Sequence, residues 1–516
     1  MANTSAAMRL LNQDYLFSLW DQYTPSYLTY TLLTLFLTLS IARFFSSFNS
    51  TPKPASKNGS QSPPAVPYWL PFLGRAPVLL WNSEHFLQTQ RSNYKDGIFA
   101  LNIFGKTHNI IYWPSLTIAL LDQPENHADF EPIRTKVMCN VFGFPRRERK
   151  KWAAALKDLD ATWRFLGEEP WLGEMVQATT ARLRDRVTEF MTFATSPVDQ
   201  MLWERTAGVE VKKDGEGEEV VEASLLPLVR EFVAHIATPS ITGSNFVANF
   251  SGLFEDLWTF DRGFMFLGMG LPRWFPVLRL TRAHIARKKL LDALYAFHDA
   301  MEKEACGQDP GQDWRDLDDV SPLIKARTEV YRMHNFSIQV RAACEVALLC
   351  AANAKSNMLV FWLINHVYSD PALLAKIREE IAPFATAVQP KQEFPIPEPA
   401  RLENFDVDGL CDSCPLLKGC YVECLRVDTA PWSLRLVKQD ILLQSSKKDS
   451  QGWLLKKGQY ADVAHELHHT DPHYFDDPML WKADRHLKLG AEEEPNSDLG
   501  SLRPYGVYAL DLRSMA

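Results

Sequence analysis

The sequence predicts a mainly α fold with a small β region, on three observations. The centre of residues 337–368 is apolar nearly all round, which marks a helix running through a core rather than lying on it. Residues 146–191 carry a helical pattern, and the segments that read as strands are short and confined to a few places. With 516 residues, 46% of them hydrophobic, the chain is long enough to bury a large core. Its 55 basic and 63 acidic residues leave a net charge of -8, which provides no basic footprint for nucleic acid. The eight cysteines are too few and too unevenly spread for a disulfide framework of this size, which places the bulk of the chain in a reducing compartment.

Taken in order, residues 1–49 form an N-terminal segment with a transmembrane anchor at about 24–45. No charge falls between Thr24 and Ala42, and a run of roughly 20 such residues suffices to cross a bilayer as a helix. A cleaved signal peptide is the competing reading, but the run exceeds the usual apolar region and no small-x-small site precedes Arg43. Arg43, Lys53 and Lys57 follow the span while Asp14 and Asp21 precede it, so the larger part is expected on the cytosolic side of a single pass. Residues 50–67 are rich in Pro and Ser and form a linker. The remainder, 68–516, is expected to be one domain.

Within that domain, residues 97–105 and 109–113 read as strands, and residues 209–221 as a charged hairpin turning near Asp214-Gly215. Aromatic stretches at 257–267 and 271–276 either line an access channel or pack the core. In the central helix, Asn353, Lys355, Ser356 and Asn357 interrupt the apolar run. Polar groups there require partners, which are either a neighbouring helix or the contents of a cavity. Asp370 and Pro371 form an N-cap and first helical position for the next helix. Pro415 opens another, on which Glu423 and Arg426, three apart, share a face. Strand-like pieces at 433–437 and 452–458 follow, then residues 469–478, then Trp481-Lys-Ala-Asp-Arg-His486, and finally Arg503-Pro-Tyr-Gly506.

This ordered set, from anchor and Pro-rich hinge through core helix, Glu-x-x-Arg and the Arg485 segment to Arg503, is similar to the cytochromes P450. The resemblance implies the fold of that family, C-terminally incomplete. It implies a buried charged triad of Glu423, Arg426 and Arg485, and a planar guanidinium fork suits such a carboxylate. It also implies that Ala352 lies over haem, with Ser356 and Asn353 in the proton relay and Arg503 and Tyr505 beside the cofactor. Lys355 replaces the family's usual acid, while Asn353 resembles the amide of the sterol-hydroxylase and prostacyclin-synthase branch. Trp481, Ala483 and His486 stand where Phe, Pro and Phe are usual. Counting on from Tyr505 places Leu512 where the axial cysteine belongs, and no cysteine follows Cys424, so no metal ligand is assigned.

The expected function is therefore that of a membrane-bound haem-thiolate monooxygenase or related oxidoreductase. Its substrate would be a hydrophobic small molecule of secondary or lipid metabolism, hydroxylated or isomerised with molecular oxygen and an NADPH-dependent reductase at the endoplasmic reticulum membrane. A haem-free relative, or a misread C-terminus of an active one, is the alternative. Two metal motifs compete. His465-Glu466-Leu467-His468-His469 matches the His-Glu-x-x-His pattern of zinc peptidases, and Cys411 and Cys414 with Cys420 and Cys424 have some zinc spacing.

Overall fold

The computed structural model describes residues 27, 29–47, 60–354, 356–390, 400–444 and 452–487. These fall into two compact units, one ending at Phe130 and rejoined by Pro431–His468, the other comprising Glu131–Ala430 and the residues from His469.

The first unit contains the apolar helix Thr29–Ser47, with a mean hydropathy of 1.3. Its threonines do not spoil that character, because Thr31, Thr34 and Thr38 donate their hydroxyls to carbonyls four residues back. Leu32, Leu33, Phe36 and Leu37 are exposed. Residues 24–26 and 28 of the expected anchor, and most of the 50–67 linker, lie outside the described residues.

A five-stranded sheet follows, in the order Ile98–Ile103, Lys106–Ile111, Tyr460–Ala464, Trp432–Val437, Ala128–Asp129. The Lys106–Ile111 and Tyr460–Ala464 pair is parallel and the others antiparallel. Phe104 and Gly105, at φ of 49° and 73°, form the tight turn between the first two strands, and two successive positive φ values favour glycine there. A second sheet joins Ser60–Gln61, Gly452–Leu455 and Ile441–Leu443. Ile98, Ile111, Leu116, Leu443 and Trp453 belong to one apolar core of this unit.

The second unit is mostly helical. The long helix Leu278–Ala305 packs against Leu253–Asp261 and against the core helix Ile338–Ala354. From Val340 to Cys350 every residue of the core helix is buried, as its all-round apolarity requires. Phe246, Phe260, Phe297 and Tyr331 are fully buried aromatics of the same core. One charge on the core helix has a built-in partner: Glu345 accepts from Arg327 Nε at 2.8 Å and from the Tyr331 hydroxyl at 2.5 Å. The charged hairpin is present as Glu210–Lys213 paired with Glu219–Glu222. Its turn runs on to Glu218, held by the Asp214 carboxylate accepting from the amides of Glu216 and Glu218. Asp370 caps the helix Pro371–Ile381 by accepting from the amides of Ala372 and Leu373.

Phe297 fills the centre of the helical unit, so Phe297→Ala should cost about 3–5 kcal/mol in urea unfolding of the chain. Val220→Ala on the exposed hairpin should stay within about 0.5 kcal/mol of wild type. Comparable losses at the two positions would contradict this placement of the core.

Candidate functional site

The site is built on the helix Pro415–Val427, which Pro415 opens at a position where its missing amide hydrogen costs nothing. Gly419 lets this helix lie close to the turn at 483–486, since a Cβ there would sit 2.9 Å from the Ala483 carbonyl oxygen. One helical turn later Glu423 points its carboxylate into the same region with its side chain fully buried. A buried carboxylate needs every lone pair engaged. Arg426 meets it with two prongs, Nε to Oε2 at 2.8 Å and Nη2 to Oε1 at 2.7 Å. Arg485 Nε donates to Oε1 at 2.9 Å, the Lys482 amide to Oε1 at 3.0 Å, and His486 Nε2 lies 3.0 Å from Oε2.

The guanidiniums use their remaining donors on the chain around them. Arg426 Nη1 donates to the carbonyls of His469 and Pro478, at 2.6 and 2.7 Å, and its plane lies over the Phe475 ring at 4.9 Å. Arg485 donates to the carbonyls of Asp476, Asp477 and Leu480. The irregular segment 469–487 is thus held largely by side chains. Burial alone would raise the Glu423 carboxyl, but the hydrogen bonds from Arg426 and then His486, with the Arg426 charge, hold it well below the usual carboxylate range.

The structure brings together Glu423, Arg426 and Arg485, the three residues that the resemblance groups as a triad. It adds His486, which the linear pattern presents only as a departure from an aromatic position. No periodicity exists along 476–487 from which to read its direction.

The polar residues at the end of the core helix and at the start of the next helix, Ser356–Ser369, find partners within the protein. Asn353 is fully buried and donates from Nδ2 to the Thr238 hydroxyl and the Leu349 carbonyl, each at 3.0 Å. Asn357 is also buried and reaches the Arg230 carbonyl at 3.4 Å. Ser356 is exposed, with its hydroxyl on the Ala352 carbonyl at 3.0 Å. Ala352 lines a cavity of about 10 Å³ with Thr238, Thr242, Phe297 and Glu345, room for about one water. Of the two readings of this cluster, hydrogen bonding between helices describes Asn353 directly. Lys355, Arg503, Tyr505 and Leu512 lie outside the described residues.

His465–His469 forms a helical turn. Burial, then the His468 charge, pushes His465 down to about 3, and burial, then Glu84, raises Glu466 to about 7. Among the described residues, the potential ligand atoms of His366, Cys424 and Asp428 lie within 4.8 Å of one another, and neither His465 nor His469 belongs to that group. Cys411 is exposed and Cys414 is buried, with its thiol 3.7 Å from the Glu380 carbonyl oxygen. Burial pushes Cys420 up to about 11 and Cys424 up to about 12, so both stand as neutral thiols in the unliganded protein.

Comparison with known proteins bears on what this arrangement belongs to. No family model matches the chain. Against cytochrome P450 7B1 of Mus musculus it is 22% identical over 489 residues, covering 92% of this chain and 82% of the relative. The chain resembles the cytochromes P450. It is 24% identical over 256 residues to a cytochrome P450 monooxygenase of Gibberella zeae, 49% of this chain and 44% of that protein. With cytochrome P450 7A1 of Oryctolagus cuniculus the figures are 26% over 234 residues, 45% of this chain and 41% of the relative. These last two matches span less than half the length of the relative concerned. Sterol 7α-hydroxylases are among the P450 relatives, and a 25-hydroxycholesterol 7-alpha-hydroxylase of Rattus norvegicus is 25% identical over 52% of this chain and 60% of its own length. The mainly α architecture with small sheets agrees with a P450 fold.

Removing the Glu423 carboxylate leaves two buried guanidiniums facing each other, so Glu423→Ala or Arg426→Ala should cost about 3–5 kcal/mol. The Glu423 contribution is fully present above the ordinary glutamate value of 4.5 and is lost as pH falls below it towards the lower folded value. The stability gap between wild type and Glu423→Gln, measured by urea unfolding, should therefore narrow below pH 4.5. A gap that stays constant or widens on acidification would refute the assignment.

Proposed function

We propose that this chain is a membrane-anchored haem-thiolate monooxygenase that oxidises a hydrophobic small molecule. The observation that carries the reading is the closed cluster of Glu423, Arg426 and Arg485, the triad that the resemblance implies, in a chain similar to cytochrome P450 7B1 over most of its length. The apolar helix Thr29–Ser47 supports anchoring in the endoplasmic reticulum membrane, with the following part facing the cytosol. An NADPH-dependent reductase would supply electrons, and molecular oxygen would be the co-substrate. Sterol hydroxylases among the relatives favour a lipid-like substrate, to be hydroxylated or isomerised.

The described residues do not enclose a space for haem. Ala352 is a small side chain at the position that the resemblance places over haem, but the cavity beside it, about 10 Å³, has room for about one water and does not by itself hold a macrocycle. The axial position falls outside the described residues, and Cys420 and Cys424 are committed to the Glu423 helix. When bound with a thiolate, haem supplies oxygen activation. Ser356 Oγ, which donates to the Ala352 carbonyl, would hold the proton to be delivered, and Asn353 is fixed by Thr238 on a neighbouring helix. The rival reading, a haem-free relative, is favoured by Leu512 at the counted cysteine position.

A reduced carbon-monoxide difference spectrum of the expressed chain separates the two. A thiolate-type band supports the monooxygenase, and a spectrum without bound haem supports the rival. With haem present, Ser356→Ala should raise peroxide released per reductant consumed, and unchanged coupling would sink the role of Ser356.

A further inference from the structure

Beside the Glu423 cluster, on the same helix but with different side chains, lies a second constellation. His366 comes from the helix Ser356–Ser369, Cys424 from Pro415–Val427, and Asp428 caps the end of the latter. Cys424 and Asp428 are four apart and so share one helical face. The His366 imidazole, the Cys424 thiol and the Asp428 carboxylate each bring one ligand atom within 4.8 Å of the others. His366 Nε2 and Asp428 Oδ2 are 3.1 Å apart.

The imidazole is held in place. Its ring stacks on Trp481 at 4.5 Å and 8°, and on Trp362 at 5.8 Å and 27°. Cys424 is fully buried while His366 is partly open to solvent, so an ion has both a desolvated seat and a way in.

We propose that His366, Cys424 and Asp428 form a zinc site that ties these two helices together. One nitrogen, one sulfur and one oxygen ligand suit a borderline-soft divalent ion, and tetrahedral bonds of about 2.0–2.3 Å would set the ligand atoms about 3.3–3.5 Å apart. Binding forms bonds to Nε2, Sγ and a carboxylate oxygen; the Cys424 proton leaves to solvent, and the proton shared between His366 Nε2 and Asp428 moves to Nδ1 or leaves to solvent as that hydrogen bond breaks. The fourth position is left to water. The site differs from both zinc motifs read in the sequence, because it combines Cys424 with residues from outside either pattern. It is also independent of whether the chain binds haem. Without an ion the same three groups simply satisfy one another by hydrogen bonding, and that is the alternative the experiment must exclude.

The test is zinc titration of the purified full-length chain, followed by chelator competition and zinc-edge X-ray absorption, which haem iron does not obscure. We expect one tightly held zinc per chain, with a single sulfur neighbour at about 2.3 Å and lighter neighbours at about 2.0 Å. Cys424→Ala should lose the sulfur shell, and Cys424→Ser should do so too if the alanine variant fails to fold. His366→Gln and Asp428→Asn should weaken binding by more than about 100-fold, beyond what changes in outer-shell partners cost. Cys420→Ala should leave binding and spectrum unchanged. Absence of bound zinc, zinc without a sulfur neighbour, or a sulfur shell that survives in the Cys424 variants would overturn the proposal.

Discussion

The carboxylate of Glu423 is the constraint on which the helical unit's functional end depends. It is fully buried, so it must stay ionised and saturated or the segment around it cannot close. Arg426 satisfies it from its own helix, and Arg485, His486 and the Lys482 amide come to it from the 476–487 segment. Because each guanidinium has donors to spare, the same charges also hold the carbonyls of His469, Asp476, Asp477, Pro478 and Leu480. A stretch without regular hydrogen bonding therefore acquires a fixed path from one carboxylate. Hydrophobic burial could not do this, since it is non-directional.

A second buried charge in the same unit is handled differently. Glu345 sits within the core helix and is paired with Arg327, while the Tyr331 hydroxyl takes the same oxygen. That pair joins helix to helix, whereas the Glu423 cluster joins a helix to irregular chain.

Much of this was legible in the sequence. The core helix, the Asp370-Pro371 start, the Pro415 helix and the charged hairpin follow from periodicity and capping, which are local. Glu423 and Arg426 were readable as a pair because three residues along a helix fixes their mutual position. Arg485 came only through resemblance to a known order of motifs. His486, Thr238 as the partner of Asn353, and the convergence of His366 on Cys424 and Asp428 were not readable. Each depends on segments brought together by folding, and no spacing rule links them. The Asn353 cluster shows the limit in the other direction: a buried amide was read correctly as needing a partner, but only the structure shows a threonine on another helix supplying it.

The most direct test is hydrogen exchange of the full chain compared between wild type and Glu423→Gln. If the carboxylate holds the segment, amides over 469–487 should lose protection while those of the helix Leu278–Ala305 keep it. Retained protection over 469–487 in the variant would contradict the dependence of this end of the molecule on Glu423.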